Sequence, residues 1–263
     1  MTGPTPTIVY KDDDILVLDK PARLSTTAPG DEPSLVRIAA TLDPRAPHLH
    51  PTSRLDAEVT GLVTFARTSV GNHHLLEARK RGQYQRLYVG LAMGRPEPIV
   101  GSWTSAIAIH GRDRRFRCAV PEGTPGAKRA RTDYEVGPVA GPLTWLWLMP
   151  RTGRTHQLRV HAAHAGVPLF GDRFYGGVPR VTQFDGSVVA ARRTMLHCRS
   201  VQIPSMWGGA PLRLDAPLHG DMAKIWEALG GDSAALEISR VPERWPRESR
   251  PPSSPPSLPP APR

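Results

Sequence analysis

Cysteine is nearly missing from this chain of 263 residues, lysine is scarce, and no stretch stays apolar for long. The two cysteines, Cys118 and Cys198, stand far apart. That excludes a disulfide framework and a CxxC metal knuckle, and makes a reducing cytoplasm the expected compartment. No run reaches the roughly 18 apolar residues that a spanning helix needs, so no membrane segment is expected. Residues 1–10 are rich in Pro and Thr and lack the basic-then-apolar pattern of a secretory leader. There is no internal repeat. The length allows one large core or two small ones.

Lysine occurs at 11, 20, 80, 128 and 224 only, so 29 of the 34 basic residues are arginine. The net charge of +10 is unevenly spread: residues 1–60 carry 6 basic against 9 acidic residues, 61–200 carry 21 against 8, and 201–263 carry 7 against 7. The planar guanidinium fork grips phosphate and stacks on bases, so an arginine-rich middle suits a polyanion. A codon bias toward Arg, Pro, Gly and Ala would give the same composition, and charge alone does not decide between the two.

The pattern predicts a hairpin over 8–18, with Lys11-Asp12-Asp13-Asp14 as its acidic turn. That turn lacks the glycine and distal glutamate of a calcium loop. Helices are expected over Ser34–Leu42 and Thr68–Arg81, the second capped by Thr68 and ended at Gly82. Leu62–Ala66 reads as a buried strand. Tyr84–Met93 alternates, with Leu87, Val89 and Leu91 facing one way and Tyr84, Arg86 and Tyr88 the other. Gly111–Arg131 is expected as a basic loop kept irregular by Gly123, Pro125 and Gly126. Leu143–Pro150, apolar on both faces, should be a central strand with its tryptophans in the core. Met222–Leu229 reads as a short helix, and 243–263, rich in Pro, Ser and Arg, as a disordered tail with nothing to bury.

Two stretches concentrate candidate chemistry. In Ser53–Ala66, Asp56 precedes a turn and the buried strand, with Arg54 before it and Gly61 after it. A lone aspartate here would ordinarily be a cap or turn residue. Arg151–Gly166 is dense in cations and histidines and holds no acid. Thr152 or Thr155 is expected to cap a helix that Gly166 ends, with His156 and Arg159 on one face. His156, His161 and His164 admit a metal reading, weakened by the lack of the Glu of H-E-x-x-H. The cations need anions from elsewhere, either an acid from another segment or a phosphate.

The block around Asp56 resembles the catalytic segment H-R-L-D-x-x-T-S-G-L of the RluA family of pseudouridine synthases. Arg54, Leu55, Asp56, Gly61 and Leu62 match, whereas Ser53 replaces His and Val59-Thr60 replaces Thr-Ser. Lys20-Pro21 resembles the family's opening step and Arg86-Leu87-Tyr88 its K-x-Y motif. Arg151–His161 with 166–176, G-V-P-L-F-G-D-R-F-Y-G, resembles its third motif. The resemblance covers about residues 8–220. It implies an α+β fold with a mixed, largely antiparallel sheet and flanking helices, a catalytic domain over 1–240 and a tail over 241–263. It implies isomerisation of uridine to pseudouridine in ribosomal or transfer RNA by a monomer, with no cofactor or metal. By the same resemblance, Asp56 is the nucleophile, Arg159 pairs with it, and Tyr88 and Leu196 wall the uracil pocket. Arg54 then fills the space left by the flipped base. Arg112, Arg114, Arg115, Arg117, Lys128 and Arg129 are the expected phosphate contacts. A non-catalytic RNA-binding or ribosome-assembly factor on the same fold is the main rival.

Overall fold

The computed structural model describes residues 5–46, 48–237, 242 and 245. It opens with β1 (Thr7–Lys11), β2 (Ile15–Lys20), α1 (Leu35–Leu42), β3 (His50–Pro51), β4 (Thr60–Ala66), α2 (Ser69–Lys80) and β5 (Gln85–Met93). Then come β6 (Val100–Trp103), β7 (Ala106–Ile109), β8 (Arg117–Val120), β9 (Thr132–Ala140), β10 (Leu143–Pro150) and α3 (Gln157–His164). The described chain closes with β11 (Arg180–Thr182), β12 (Val188–Ala190), β13 (Leu196–Ile203), β14 (Leu212–Asp215), α4 (Gly220–Ala228) and a single 3-10 turn, Ser233–Leu236.

Ten strands form one sheet, ordered β1-β2-β4-β13-β5-β10-β9-β6, with β14 beside β13 and β3 beside β4. The β4–β13 pairing is parallel and the rest are antiparallel. This is the expected α+β architecture. The period of two along each strand divides the core between the two faces of the sheet. Tyr88, Leu146 and Leu148 face one side with Leu158 and Ala162 of α3. Leu87, Val89, Leu91, Trp145 and Trp147 face the other with Met222, Ile225 and Trp226 of α4. At the parallel pairing the backbones approach closely. A Cβ on Gly61, whose φ is +106°, would lie 2.2 Å from the Cys198 carbonyl oxygen, so only glycine fits there.

Local signals placed α1 and α2 well. Ser34 Oγ accepts the Arg37 N–H and Thr68 Oγ1 accepts the Gly71 N–H, which caps both helices. Three expectations change. Gly111–Arg131 is not wholly irregular, because Arg117–Val120 pairs with Ala106–Ile109 as an antiparallel hairpin. Neither Thr152 nor Thr155 caps α3; His156 does, with a left-handed φ of 57° and no side-chain cap bond. Trp245 is buried in the second core, where nothing was expected to be buried; otherwise the expected tail from 243 lies outside the described residues. Among the described residues no helix is long and apolar enough to cross a membrane.

Candidate active site

The segment before β4 is short and polar, and backbone ties hold it still. Thr26 Oγ1 donates to the Leu55 carbonyl and accepts the Leu55 N–H, at 2.9 and 3.0 Å. The Ala57 carbonyl accepts from the Arg23 N–H at 2.7 Å and from Lys20 Nζ at 3.2 Å. Arg193 reaches the Glu58 carbonyl at 3.3 Å, and the Glu58 carboxylate accepts from the Thr194 hydroxyl at 2.9 Å. A Val59 N–H to Asp56 carbonyl bond of 3.0 Å closes the turn. Asp56 thus projects from a loop fixed on both sides, with its side chain 27% exposed.

Opposite it stands Arg159. Its Nη1 donates to Asp56 Oδ2 at 3.0 Å, while its Nε and Nη2 hold both oxygens of Asp172 at 2.7 and 2.8 Å. Tyr175 lies under the guanidinium, 4.9 Å from ring centroid to Cζ. Burial disfavours this charge, but the Asp172 and Asp56 carboxylates outweigh it and raise the Arg159 pKa. The cations of Arg151–Gly166 therefore find acids from three other segments, Arg159 with Asp56 and Asp172 and Arg151 with Asp133 at 2.7 Å.

The left-handed backbone of His156 turns its ring inward. Its Nδ1 meets the Tyr175 hydroxyl at 2.7 Å and its Nε2 lies 3.8 Å from Asp56 Oδ2. Burial lowers its pKa, against the pull of Asp56, so the ring is neutral at physiological pH and leaves the Asp56 charge to Arg159.

A cleft of about 850 Å³ contains this pair. Arg54, Asp56, Tyr88, Arg117, Arg159 and Leu196 all line it, so the structure brings together six of the residues predicted from sequence. Tyr88 and Leu196 are buried, and burial raises the Tyr88 phenol well above its ordinary pKa. Arg112, Arg114, Arg115, Lys128 and Arg129 do not line the cleft; they lie on and beside the β7–β8 hairpin, away from its walls. Two of these are already ion-paired, Arg115 with Asp113 and Arg129 with Glu122.

The three histidines do not converge. His161 is buried with both ring nitrogens engaged, by Thr132 Oγ1 and the Ser105 carbonyl, each at 2.9 Å, and His164 is exposed. That leaves the metal reading without a ligand set. The departures from the family pattern are absorbed locally. Ser53 Oγ accepts the Thr64 N–H at 3.1 Å, and Thr60 Oγ1 meets His197 Nδ1 at 2.9 Å.

Sequence reasoning missed Asp172 and Tyr175 as site residues, although both stand in the G-D-R-F-Y-G stretch it singled out. It also missed the role of Lys20. This side chain is fully buried, donates to the Pro21, Leu24 and Ala57 carbonyls, and is the main side-chain tie on the residue after Asp56. Burial, then the charge of Arg193, lowers its pKa to about 7 against the pull of Asp56 and Asp19. The unfolded chain keeps the Lys20 proton up to pH 10.5, whereas the folded protein sheds it above about 7. Folding is thus penalised below about pH 7, and stability is regained as pH climbs toward 10.5. Lys20→Met should remove that gain. Melting temperatures of the two proteins should diverge in favour of the wild type through this alkaline window, and parallel curves would show that Lys20 stays charged.

Comparisons with known proteins give the family. A family model described as RNA pseudouridylate synthase matches residues 14–164. The ribosomal large subunit pseudouridine synthase D of Xanthomonas campestris pv. campestris is 31% identical over 246 residues, 89% of this chain and 72% of that protein. The protein of the same name from Haemophilus ducreyi is 32% identical over 238 residues, 86% of this chain and 71% of its own length. Among solved structures, human RNA pseudouridylate synthase domain containing 4 superimposes with a TM-score of 0.66 at 22% identity, covering 85% of this chain and 92% of that one. The last is a likeness of fold.

Proposed function

Because the chain belongs to the RNA pseudouridylate synthase family, in its RluA group, and isomerises uridine to pseudouridine in RNA, we propose that Asp56 is the carboxylate that reacts at the sugar and that ribosomal RNA carries the target. The observation that carries the first part is the 3.0 Å contact between Asp56 and Arg159 inside a cleft walled by Tyr88 and Leu196. The names of the relatives, which are ribosomal large subunit synthases, support the second.

The reaction breaks the N1–C1′ bond, turns the uracil in place and joins C5 to C1′, with the C5 proton lost and one regained at N1. The target uridine first leaves its stack, at a cost of a few kcal/mol. The Asp56 carboxylate meets the electron-poor C1′, either as nucleophile or by taking a sugar proton on a glycal route. Arg159 holds that carboxylate in place by its 3.0 Å bond, and Asp172 in turn keeps the guanidinium from swinging away. The detached uracil stays between Tyr88 and Leu196. With its pKa raised by burial, Tyr88 meets the base as a neutral ring. Arg54, exposed at the mouth, fills the gap left in the RNA stack.

Mapping pseudouridines in ribosomal and transfer RNA from cells with and without the protein tests the target. Loss of one or more sites confined to ribosomal RNA is expected, and loss confined to transfer RNA would overturn this assignment. The hairpin cations supply phosphate contacts. Replacing Arg112, Arg114 and Arg117 together with glutamine should weaken RNA binding and flatten its dependence on log[salt] by about 0.7 to 0.9 for each phosphate no longer neutralised. An unaltered slope would mean that other cations grip the backbone.

A further inference from the structure

Arg159 and Arg193 lie against carboxylates; two half-buried arginines beside the cleft do not. Arg79, from the last turn of α2, and Arg86, from β5, line the cleft together with Arg54 and Arg154. Arg79 Nη1 donates to the Thr52 carbonyl, and Arg86 Nη2 donates to the Thr152 carbonyl at 3.2 Å. The Arg86 Nε is buried and unpartnered. Among the described residues neither guanidinium is ion-paired with an acid. Both converge on Gly153: a Cβ there would lie 2.8 Å from Arg79 Nη2 and 3.5 Å from Arg86 Nη2. Burial and the neighbouring charges of Arg86 and Arg54 lower the Arg79 pKa, whereas Arg86, set beside Tyr88 and Tyr84, is raised despite its burial. A second cleft, of about 490 Å³, opens on the same pair and has no acid in its lining, although of its further cations Lys80 pairs with Glu77 and Arg151 with Asp133, leaving Arg154.

Two half-buried forks facing one bare backbone position make a seat for a tetrahedral dianion or a diester. Thr52 lies four positions before Asp56, and Gly153 six before Arg159, so the seat is tied to both halves of the catalytic pair. We propose that Arg79 and Arg86, over Gly153, bind one phosphodiester of the RNA strand flanking the target nucleotide, a contact that rests on the RNA-isomerase reading above. The acid-free second cleft then carries the strand onward from the reaction site.

Single methylphosphonate linkages, each removing one backbone charge, scanned along a stem-loop of ribosomal RNA with one target uridine, test this. One linkage beside the uridine should weaken wild-type binding about tenfold, as expected for a charge-assisted contact. Arg79→Gln should bind the all-phosphate RNA as poorly, show no further loss at that linkage, and have a salt slope lower by about 0.7. Arg79→Lys should recover part of the affinity. Gly153→Ala keeps every charge, crowds the flexible end of Arg79 and only touches Arg86 at ordinary contact distance, so it should fold and reproduce much of the Arg79→Gln defect. Arg86 is more deeply set, and the test does not depend on its folding when replaced. In a second arm, inorganic phosphate should raise the melting temperature of the wild type and not of Arg79→Gln. A flat methylphosphonate scan, or a linkage effect that survives Arg79→Gln, overturns the proposal and leaves the arginines as ties to the Thr52 and Thr152 carbonyls. Phosphate stabilisation with a flat scan means a free-anion site, which also overturns it. Pseudouridine formation is measured on the same RNA. Its absence beside an intact linkage effect would sink the ribosomal RNA reading and spare this site.

Discussion

Arg159→Ala is expected to abolish pseudouridine formation and to destabilise the fold by about 3–5 kcal/mol, the range for breaking a buried ion pair from one side. The reason is Asp172. Its side chain is fully buried, and two of the three Arg159 donors satisfy it. Removing the guanidinium strands that carboxylate without water, whereas Asp56, 27% exposed, can still be hydrated. Because the Arg159 pKa is raised above an already high value, its stabilisation is fully present across the whole working pH range. Arg159→Lys should keep the fold better than alanine and still lose most activity, since one ammonium cannot span both acids as a fork does. Denaturant titration alongside turnover checks this. A wild-type midpoint for Arg159→Ala would mean that the Arg159–Asp172 pair adds nothing to the stability of the fold.

Much of this was legible locally. The caps Ser34 and Thr68 were readable because a side chain that bonds its own helix needs no tertiary partner. The strands Thr60–Ala66, Gln85–Met93 and Leu143–Pro150 were readable because a central sheet forces period two or continuous apolarity. What failed was set by contacts distant in sequence. The Arg117–Val120 strand is only half-buried along its length, so it carries no alternation, and its pairing with Ala106–Ile109 depends on the register of the turn between them. The start of α3 was misread because His156 adopts a left-handed backbone to reach Asp56 and Tyr175, against its own preference. Family resemblance located the Asp56–Arg159 pair, and the structure adds what holds it: Asp172 behind the arginine, and Thr26, Lys20 and Arg193 around the loop. None of these ties has a spacing rule.

Asp56→Asn is the sharpest substitution. It keeps the shape of the side chain and removes only its charge and nucleophilicity. Arg159 keeps Asp172, so no buried charge is stranded, and the melting temperature should stay within a few degrees of wild type. Turnover should fall by at least about 10³-fold, because an amide neither attacks C1′ nor takes a sugar proton at useful rates. RNA affinity should hold or rise slightly, since the cleft loses a negative charge while its arginines remain. The direct measurement is release of tritium from ribosomal RNA labelled at C5 of uridine, because joining C5 to C1′ expels that hydrogen. Wild-type protein should release it in proportion to pseudouridine formed, while folded, RNA-bound Asp56→Asn should release none above background. Release by Asp56→Asn at a rate near wild type would show that another group does the chemistry.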